Sequence, residues 1–224
     1  MVILLITVKV LYSISGVGTQ ILLSHKSGDL LVDSGDGTLR DLIKLRYNFD
    51  RLEGILITHE HFDHICGLYA LLNFVRLLGR KRKLLIVVPE PIRQVNLLLK
   101  SPLMYRSLTY PVEIMEVNDK DRFKLGEINI SAFSVKHDKE FTSLGYSIYD
   151  REGFKVVVGG DTRPCENLEK EVDSADIAVL ECTLGKIRRN MTIGHMTRSE
   201  AEKLGRKARK LVLTHQKINY SKLG

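Results

Sequence analysis

The chain has 224 residues, 44% hydrophobic and 27% charged, with a formal net charge of +7 and a pI near 9.3. That balance belongs to a globular protein able to bury a sizeable core, and it excludes a disordered or fibrous chain. Three widely spaced cysteines, Cys66, Cys165 and Cys182, exclude a disulfide framework and fit a reducing cytosol, while the basic excess fits an anionic partner such as nucleic acid or a phosphorylated metabolite.

The opening run MVILLITVKV is too short to span a bilayer, is interrupted by Lys9 and is followed by no small-residue cleavage site. It reads as a buried first strand, with no membrane association and a cytoplasmic location as the default. A hairpin is predicted at Ser24-His25-Lys26-Ser27-Gly28-Asp29, with His25 on the surface. The turn Asp33-Ser34-Gly35-Asp36-Gly37 leads into a helix predicted over 38–46, and a second helix is predicted over 64–78, with Leu68, Leu71, Leu72 and Val75 on one face. A third, over 199–210, opens on the capping box formed by Thr197 and Glu200. No linker, repeat or low-complexity tract divides the chain, so 1–224 is read as one domain.

Several apolar, β-branched runs end abruptly at a polar residue. Gly54-Ile55-Leu56-Ile57-Thr58 leads to His59, and the looser alternation over 128–135 leads to His137. Lys155-Val156-Val157-Val158-Gly159-Gly160 leads to Asp161, Ala178-Val179-Leu180 to Glu181, and Leu211-Val212-Leu213-Thr214 to His215. Runs of this kind are buried strands. If their ends share one edge, these His, Asp and Glu residues meet there, and the mixture of strands and helices predicts a layered α/β fold.

The densest signal is Thr58-His59-Glu60-His61-Phe62-Asp63-His64. Zinc takes imidazole and carboxylate ligands, and three histidines with an aspartate within six positions exceed the needs of one ion. His59 and His61 point one way, with Asp63 and His64 reaching a neighbouring point. That suits two ions that together activate a water and stabilise a leaving oxygen.

The order and spacing of His59-x-His61-x-Asp63-His64, His137, Asp161 in Gly-Gly-Asp-Thr and His215 after a strand resemble the metallo-β-lactamase superfamily over roughly residues 30–215. The resemblance implies a four-layer αββα sandwich. It also implies a ligand set, with His59, His61 and His137 on one zinc, Asp63, His64 and His215 on the second, and Asp161 bridging. Asp33 would support the ligand loop. His61 stands where iron-binding flavodiiron relatives carry Glu, which favours two Zn2+ per chain, with Mn2+ or Fe2+ as alternatives.

Within the superfamily the likeness is to ribonuclease Z, the endonuclease that trims transfer-RNA 3′ ends. Val32-Asp33-Ser34-Gly35-Asp36-Gly37-Thr38 is similar to its Phe-Asp-Cys-Gly-Glu-Gly-Thr, and Leu180-Glu181-Cys182-Thr183 to its His-Glu-Ala-Thr. Gly194-His195-Met196-Thr197 resembles its Gly-His-Ser-Thr, and Leu213-Thr214-His215 with Tyr220 its terminal motif. Gln216, Lys217 and Asn219 depart from that terminus, and the family's Pro-Lys-Arg-Asn loop is not evident. Only 161 − 137 = 24 positions separate His137 from Asp161, which leaves no room for the arm that grips transfer RNA.

These features imply a zinc-dependent phosphodiester hydrolase, an RNA-processing endonuclease of the ribonuclease Z branch without its arm. Metal-bound hydroxide would attack phosphorus, Asp63 would orient the water or take its proton, and His195, oriented by Glu181, would protonate the leaving oxygen. The alternatives are a phosphodiesterase on small cyclic or nucleotide substrates and an RNA-binding protein without turnover, and the complete ligand set weighs against the latter. The run 186–189 borders the site, as a phosphate clamp or a solvated loop; Arg80 to Lys83 and Arg206 to Lys210 read as solvated faces. A homodimer is implied only by analogy.

Overall fold

The computed structural model describes residues 6–101, 108–184 and 194–217. In chain order the first half contains β1 (Thr7–Ile14), β2 (Gly18–His25), β3 (Gly28–Val32), α1 (Thr38–Lys44), β4 (Leu52–Leu56), α2 (Phe62–Ile65), α3 (Leu68–Leu77), β5 (Leu84–Pro89), α4 (Gln94–Leu99) and β6 (Val112–Val117). The second contains β7 (Arg122–Leu125), β8 (Ile128–Ser134), β9 (Leu144–Tyr149), β10 (Lys155–Val158), α5 (Glu166–Val172), β11 (Ile177–Glu181), α6 (Arg198–Gly205) and β12 (Lys210–Thr214). Two six-stranded sheets result, ordered β1-β2-β3-β4-β5-β6 and β12-β11-β10-β9-β8-β7.

Successive strand residues point to opposite faces, so an uninterrupted apolar run must be covered on both sides. Val156 and Val158 of β10 join Leu30, Val32, Leu56, Val87 and Tyr146 in the core between the sheets. Val157, between them, faces the other way and packs with Leu168, Val172 and Ala201 of α5 and α6. In the first sheet, Leu31, Ile55 and Ile86 face outward onto Leu68, Leu71, Leu72 and Val75 of α3. Three cores for four layers make this the αββα sandwich that the sequence predicted.

β3, β4, β5 and β6 run parallel, as do β10, β11 and β12, while β9 is antiparallel to both β8 and β10. The carboxyl ends of β3 and β4 in one sheet and β8, β10, β11 and β12 in the other therefore meet at one edge.

Several expectations need correction. The helix predicted over 64–78 is two helices separated by Cys66-Gly67, where the Gly67 amide donates to the Ser34 carbonyl and a Cβ on Gly67 would lie 2.1 Å from the carbonyl oxygen of Gly35. The helix predicted to reach 210 stops at Gly205, because Lys210 is already paired with Ile177 as the start of β12. β1 is a half-exposed edge strand rather than a buried one, with Thr7 and Lys9 in solvent. His25 is buried, its Nδ1 2.7 Å from the Ser27 hydroxyl, since the hairpin folds the ring under its own turn. Arg80 is no solvated cation: it is 4% exposed and donates to the carbonyls of Phe49, Leu52, Arg82 and Lys83, stitching the start of β4 to the start of β5. Arg206, Lys207, Arg209 and Lys210 are exposed, as expected. The run 186–189 and Tyr220 lie outside the described residues.

Candidate metal centre

The site side chains lie at the carboxyl ends of strands or on the loops and the short helix α2 that follow them, with His195 just ahead of α6, and specific partners hold them. β3 ends at Asp33, whose backbone turns left-handed (φ 59°) and aims the carboxylate across at the next loop. Its oxygens accept from the Thr58 amide at 2.8 Å, the Thr58 hydroxyl at 2.9 Å and His64 Nδ1 at 2.8 Å. The Thr58 hydroxyl, having donated to Asp33, accepts from His59 Nδ1 at 3.1 Å. His137 Nδ1 donates to the Gly194 carbonyl at 2.8 Å. The Thr183 hydroxyl donates to the His215 carbonyl at 2.9 Å and accepts from His215 Nδ1 at 2.8 Å.

One pattern runs through these bonds. In His59, His64, His137 and His215 an outward Nδ1–H is spoken for, so Nε2 carries a lone pair toward the centre. His59 Nε2 and His137 Nε2 lie 2.9 and 3.0 Å from His61 Nδ1, three imidazole nitrogens facing one another. His64 Nε2 is buried and makes no hydrogen bond. Its neighbours are Asp161 Oδ2 at 3.4 Å and Asp63 Oδ2 at 3.9 Å, and His215 Nε2 stands 3.2 Å from Asp63 Oδ2 and 3.3 Å from Asp161 Oδ2. Asp161 Oδ2 also lies 3.9 Å from His59 and 4.0 Å from His137, between the two groups.

The charge balance points the same way. Asp33, Asp161 and Glu181 are buried, and among the described residues the ion-pair partners of these three and Asp63 are all histidines. Burial and the neighbouring imidazoles push His59 well below the ordinary imidazole range, leaving it neutral. Against the opposing effect of burial, Asp161 and Asp33 raise His64 well above that range, so a proton and a divalent cation compete for its Nε2. Asp63, although burial favours its neutral form, drops to about 2 through its bond to His215 and the charge of His64. Converging lone pairs among carboxylates that pair with no Lys or Arg among the described residues form an environment that fits divalent cations. His59, His61 and His137 form one group able to hold an ion and Asp63, His64 and His215 another, with Asp161 grouped with His59 and His64.

The centre opens into a cleft of about 620 Å³ lined by His61, Asp63, His137, Asp161, His195 and His215, with Ser15 and Gly16 on one rim and Lys139 on the other. His195 Nδ1 donates to Glu181 Oε1 at 2.8 Å, and Glu181 also accepts from the amides of Thr162 and Thr183. With Nδ1 so committed, Nε2 is the nitrogen left for chemistry. Burial lowers the basicity of His195, but the Glu181 carboxylate outweighs it and raises the imidazole above its usual range.

The structure thus brings together Asp33, His59, His61, Asp63, His64, His137, Asp161, Glu181, His195 and His215. Sequence reasoning missed three supports. The Gly16 amide donates to Asp63 Oδ2 at 2.8 Å, Ser13 accepts from the His215 amide at 2.7 Å, and Asp138 Oδ2 lies 3.7 Å from His61 Nε2. The first two come from the β1–β2 hairpin, far away in the chain, and nothing local marks them.

Comparison with known proteins agrees with this geometry. Residues 29–216 match the β-lactamase superfamily domain. Ribonuclease Z of Archaeoglobus fulgidus is 27% identical over 86% of this chain and 79% of its own length, and that of Gemmatimonas aurantiaca is 28% identical over 91% and 81%. The alignment with the archaeal protein runs over 246 residues, more than this chain contains, so that relative has segments without a counterpart here. The crystal structure of the short form of human tRNase Z superposes with a TM-score of 0.81 at 22% identity, covering 95% of this chain and 93% of that one, a likeness of fold.

Proposed function

We propose that this chain, which belongs to the β-lactamase superfamily, is a metal-dependent phosphodiester hydrolase of the ribonuclease Z type, an RNA-processing endonuclease built as one domain over 1–224. The observation that carries the reading is the pairing of the lone-pair cage around Asp161 with the His195–Glu181 couple across the same cleft.

In this reading His59, His61 and His137 would hold one Zn2+ and Asp63, His64 and His215 the second, with Asp161 shared between the two groups. Such a pair supplies an activated water and charge stabilisation at the phosphoryl oxygens. The protein's own groups do the rest. Asp63, ionised far below neutrality, is a weak base and a good acceptor; anchored by Gly16 and His215, it orients the attacking water. His195, oriented through Nδ1 by Glu181, whose carboxylate raises its basicity, gives its Nε2 proton to the leaving oxygen. Glu181 is itself fixed by two backbone amides, so the acid is pre-aimed.

A second reading, a phosphodiesterase on cyclic or other small nucleotides, is favoured by one feature. The interval from His137 to Asp161, where the likeness would put an arm, holds only the rest of the β8–β9 loop, β9, a short turn and β10. A cytoplasmic location and a homodimer belong to the ribonuclease reading and are checked by fractionation and sedimentation. The deciding experiment compares cleavage of a precursor transfer RNA, a cyclic nucleotide and bis-p-nitrophenyl phosphate by the zinc-loaded protein. Cleavage of RNA at a defined 3′ position supports the endonuclease; turnover of the cyclic nucleotide alone supports the second reading; turnover of none defeats both.

A further inference from the structure

Glu60 lies between His59 and His61, yet it faces away from them. Its side chain is buried, 4% exposed, and both oxygens are spent on backbone: Oε2 accepts from the Arg93 amide and Oε1 from the Val95 amide, each at 2.8 Å. A buried carboxylate from the metal loop therefore fixes the entry to α4 and the position of Arg93. The Arg93 side chain reaches across and donates from Nη1 to the Glu140 carbonyl at 3.2 Å, bridging to the β8–β9 loop.

Both bridged residues line a second cavity of about 210 Å³, together with Pro91, Lys139, Phe141 and Thr142. Lys139 and Glu140 line the main cleft as well, so the two spaces adjoin. The Phe141 ring stands edge-on to His61, centroids 5.2 Å apart. The cavity therefore combines an aromatic ring beside a candidate ligand, a guanidinium and an ammonium. Two carboxylates are nearby. That of Asp138 is occupied by His61 Nε2 and the Glu140 amide, and Glu140 supplies an acceptor of the kind a ribose hydroxyl meets.

The geometry points to a nucleotide subsite: the Arg93–Lys139–Phe141 cavity takes the nucleoside next to the scissile phosphodiester, its base against Phe141 and its outer phosphate on Arg93 and Lys139. Single-stranded nucleic acid is held in this way elsewhere, by stacking on aromatic rings and by cations on the backbone, and the planar guanidinium suits phosphate oxygens. The subsite rests on the phosphodiesterase reading for its purpose, but its test does not depend on turnover. It also places substrate recognition in the β8–β9 loop, beside the metal centre.

Binding to the zinc-loaded protein is measured by calorimetry with inorganic phosphate, adenosine 5′-monophosphate and adenosine 3′,5′-bisphosphate. Phosphate alone reports the metal centre, and the bisphosphate spans centre and subsite. The bisphosphate should bind at least about tenfold more tightly than the monophosphate, the usual scale of a charge-assisted phosphate contact. Arg93→Gln should erase that advantage, with phosphate affinity within about twofold of wild type. Phe141→Leu, which keeps apolar volume against His61, should weaken both nucleotides about tenfold relative to phosphate. Arg93 is exposed and makes one side-chain hydrogen bond among the described residues, so its substitution leaves the fold intact. Equal affinity for the three probes in wild type, or parallel losses for all three in the variants, would overturn the subsite. If wild type binds as expected but cleaves no phosphodiester, the subsite stands and the functional reading fails.

Discussion

Replacing His195 by alanine removes the proposed acid without removing a proposed ligand. The magnitude follows from the geometry. Nδ1 is fixed on Glu181 at 2.8 Å, so the ring is oriented before substrate arrives, and the carboxylate raises its basicity against burial. A positioned proton donor of this kind contributes roughly 10²–10⁴ in rate, or about 3–5 kcal/mol of barrier. His195→Ala should lower kcat by that factor on a substrate with an alkoxide leaving group, such as a dinucleoside monophosphate. On bis-p-nitrophenyl phosphate, whose leaving group needs little protonation, the loss should be about tenfold or less. Zinc content, measured by mass spectrometry on the same samples, should match wild type. Equal losses on both substrates would make His195 structural. Loss of an ion would make it a ligand, a role its distances to Asp161 and His137 keep open to test. Glu181→Gln should cost less in rate yet lower Tm, because an amide cannot accept from Thr162, Thr183 and His195 together.

Asp33→Asn should weaken divalent-ion affinity about 10–100-fold by freeing His64 Nδ1 and Thr58, as read by chelator competition; unchanged affinity would remove Asp33 from the support of the centre. Zinc loading should reach two ions per chain and fall toward one in His215→Ala, and a single ion in wild type would defeat the two-metal assignment. Gly194→Ala would place a Cβ 1.8 Å from the His137 carbonyl, so it should lower both Tm and zinc content, and a normal Tm with full zinc would show that this contact relaxes cheaply. Precursor transfer RNA should bind weakly, with affinity falling steeply between 50 and 200 mM salt; tight, salt-insensitive binding would require another recognition surface.

Much of this site was legible in the sequence because its residues are local or follow strands. Thr58 to His64 packs His59, His61, Asp63 and His64 into seven positions, and the apolar runs before Asp161 and Glu181 announce strands buried on both faces, whereas the run before His215 forms the half-buried edge strand β12. The capping box of Thr197 and Glu200 fixed the start of α6 without tertiary information, and the structure shows both of its bonds. Helix ends were less legible. Residues 206–209 continue a helical composition, but Lys210 gains a ladder partner in β12, and pairing with β11 outweighs weak intrinsic helix propensity.

What only the tertiary structure decided concerns partners distant in the chain. Glu60 sits inside the ligand-rich motif with no role assigned from the sequence; the fold turns it away from the centre onto Arg93 and Val95. The sequence marks Arg80 as part of a basic run, whereas four backbone carbonyls around it make burial affordable. Gly16 and Ser13 become supports of Asp63 and His215 through bonds spanning 47 and 202 positions. Residue chemistry and strand periodicity are local properties and can be read along the chain. Which backbone amide meets which carboxylate depends on how two sheets face each other, and that is set by the packing of the whole core.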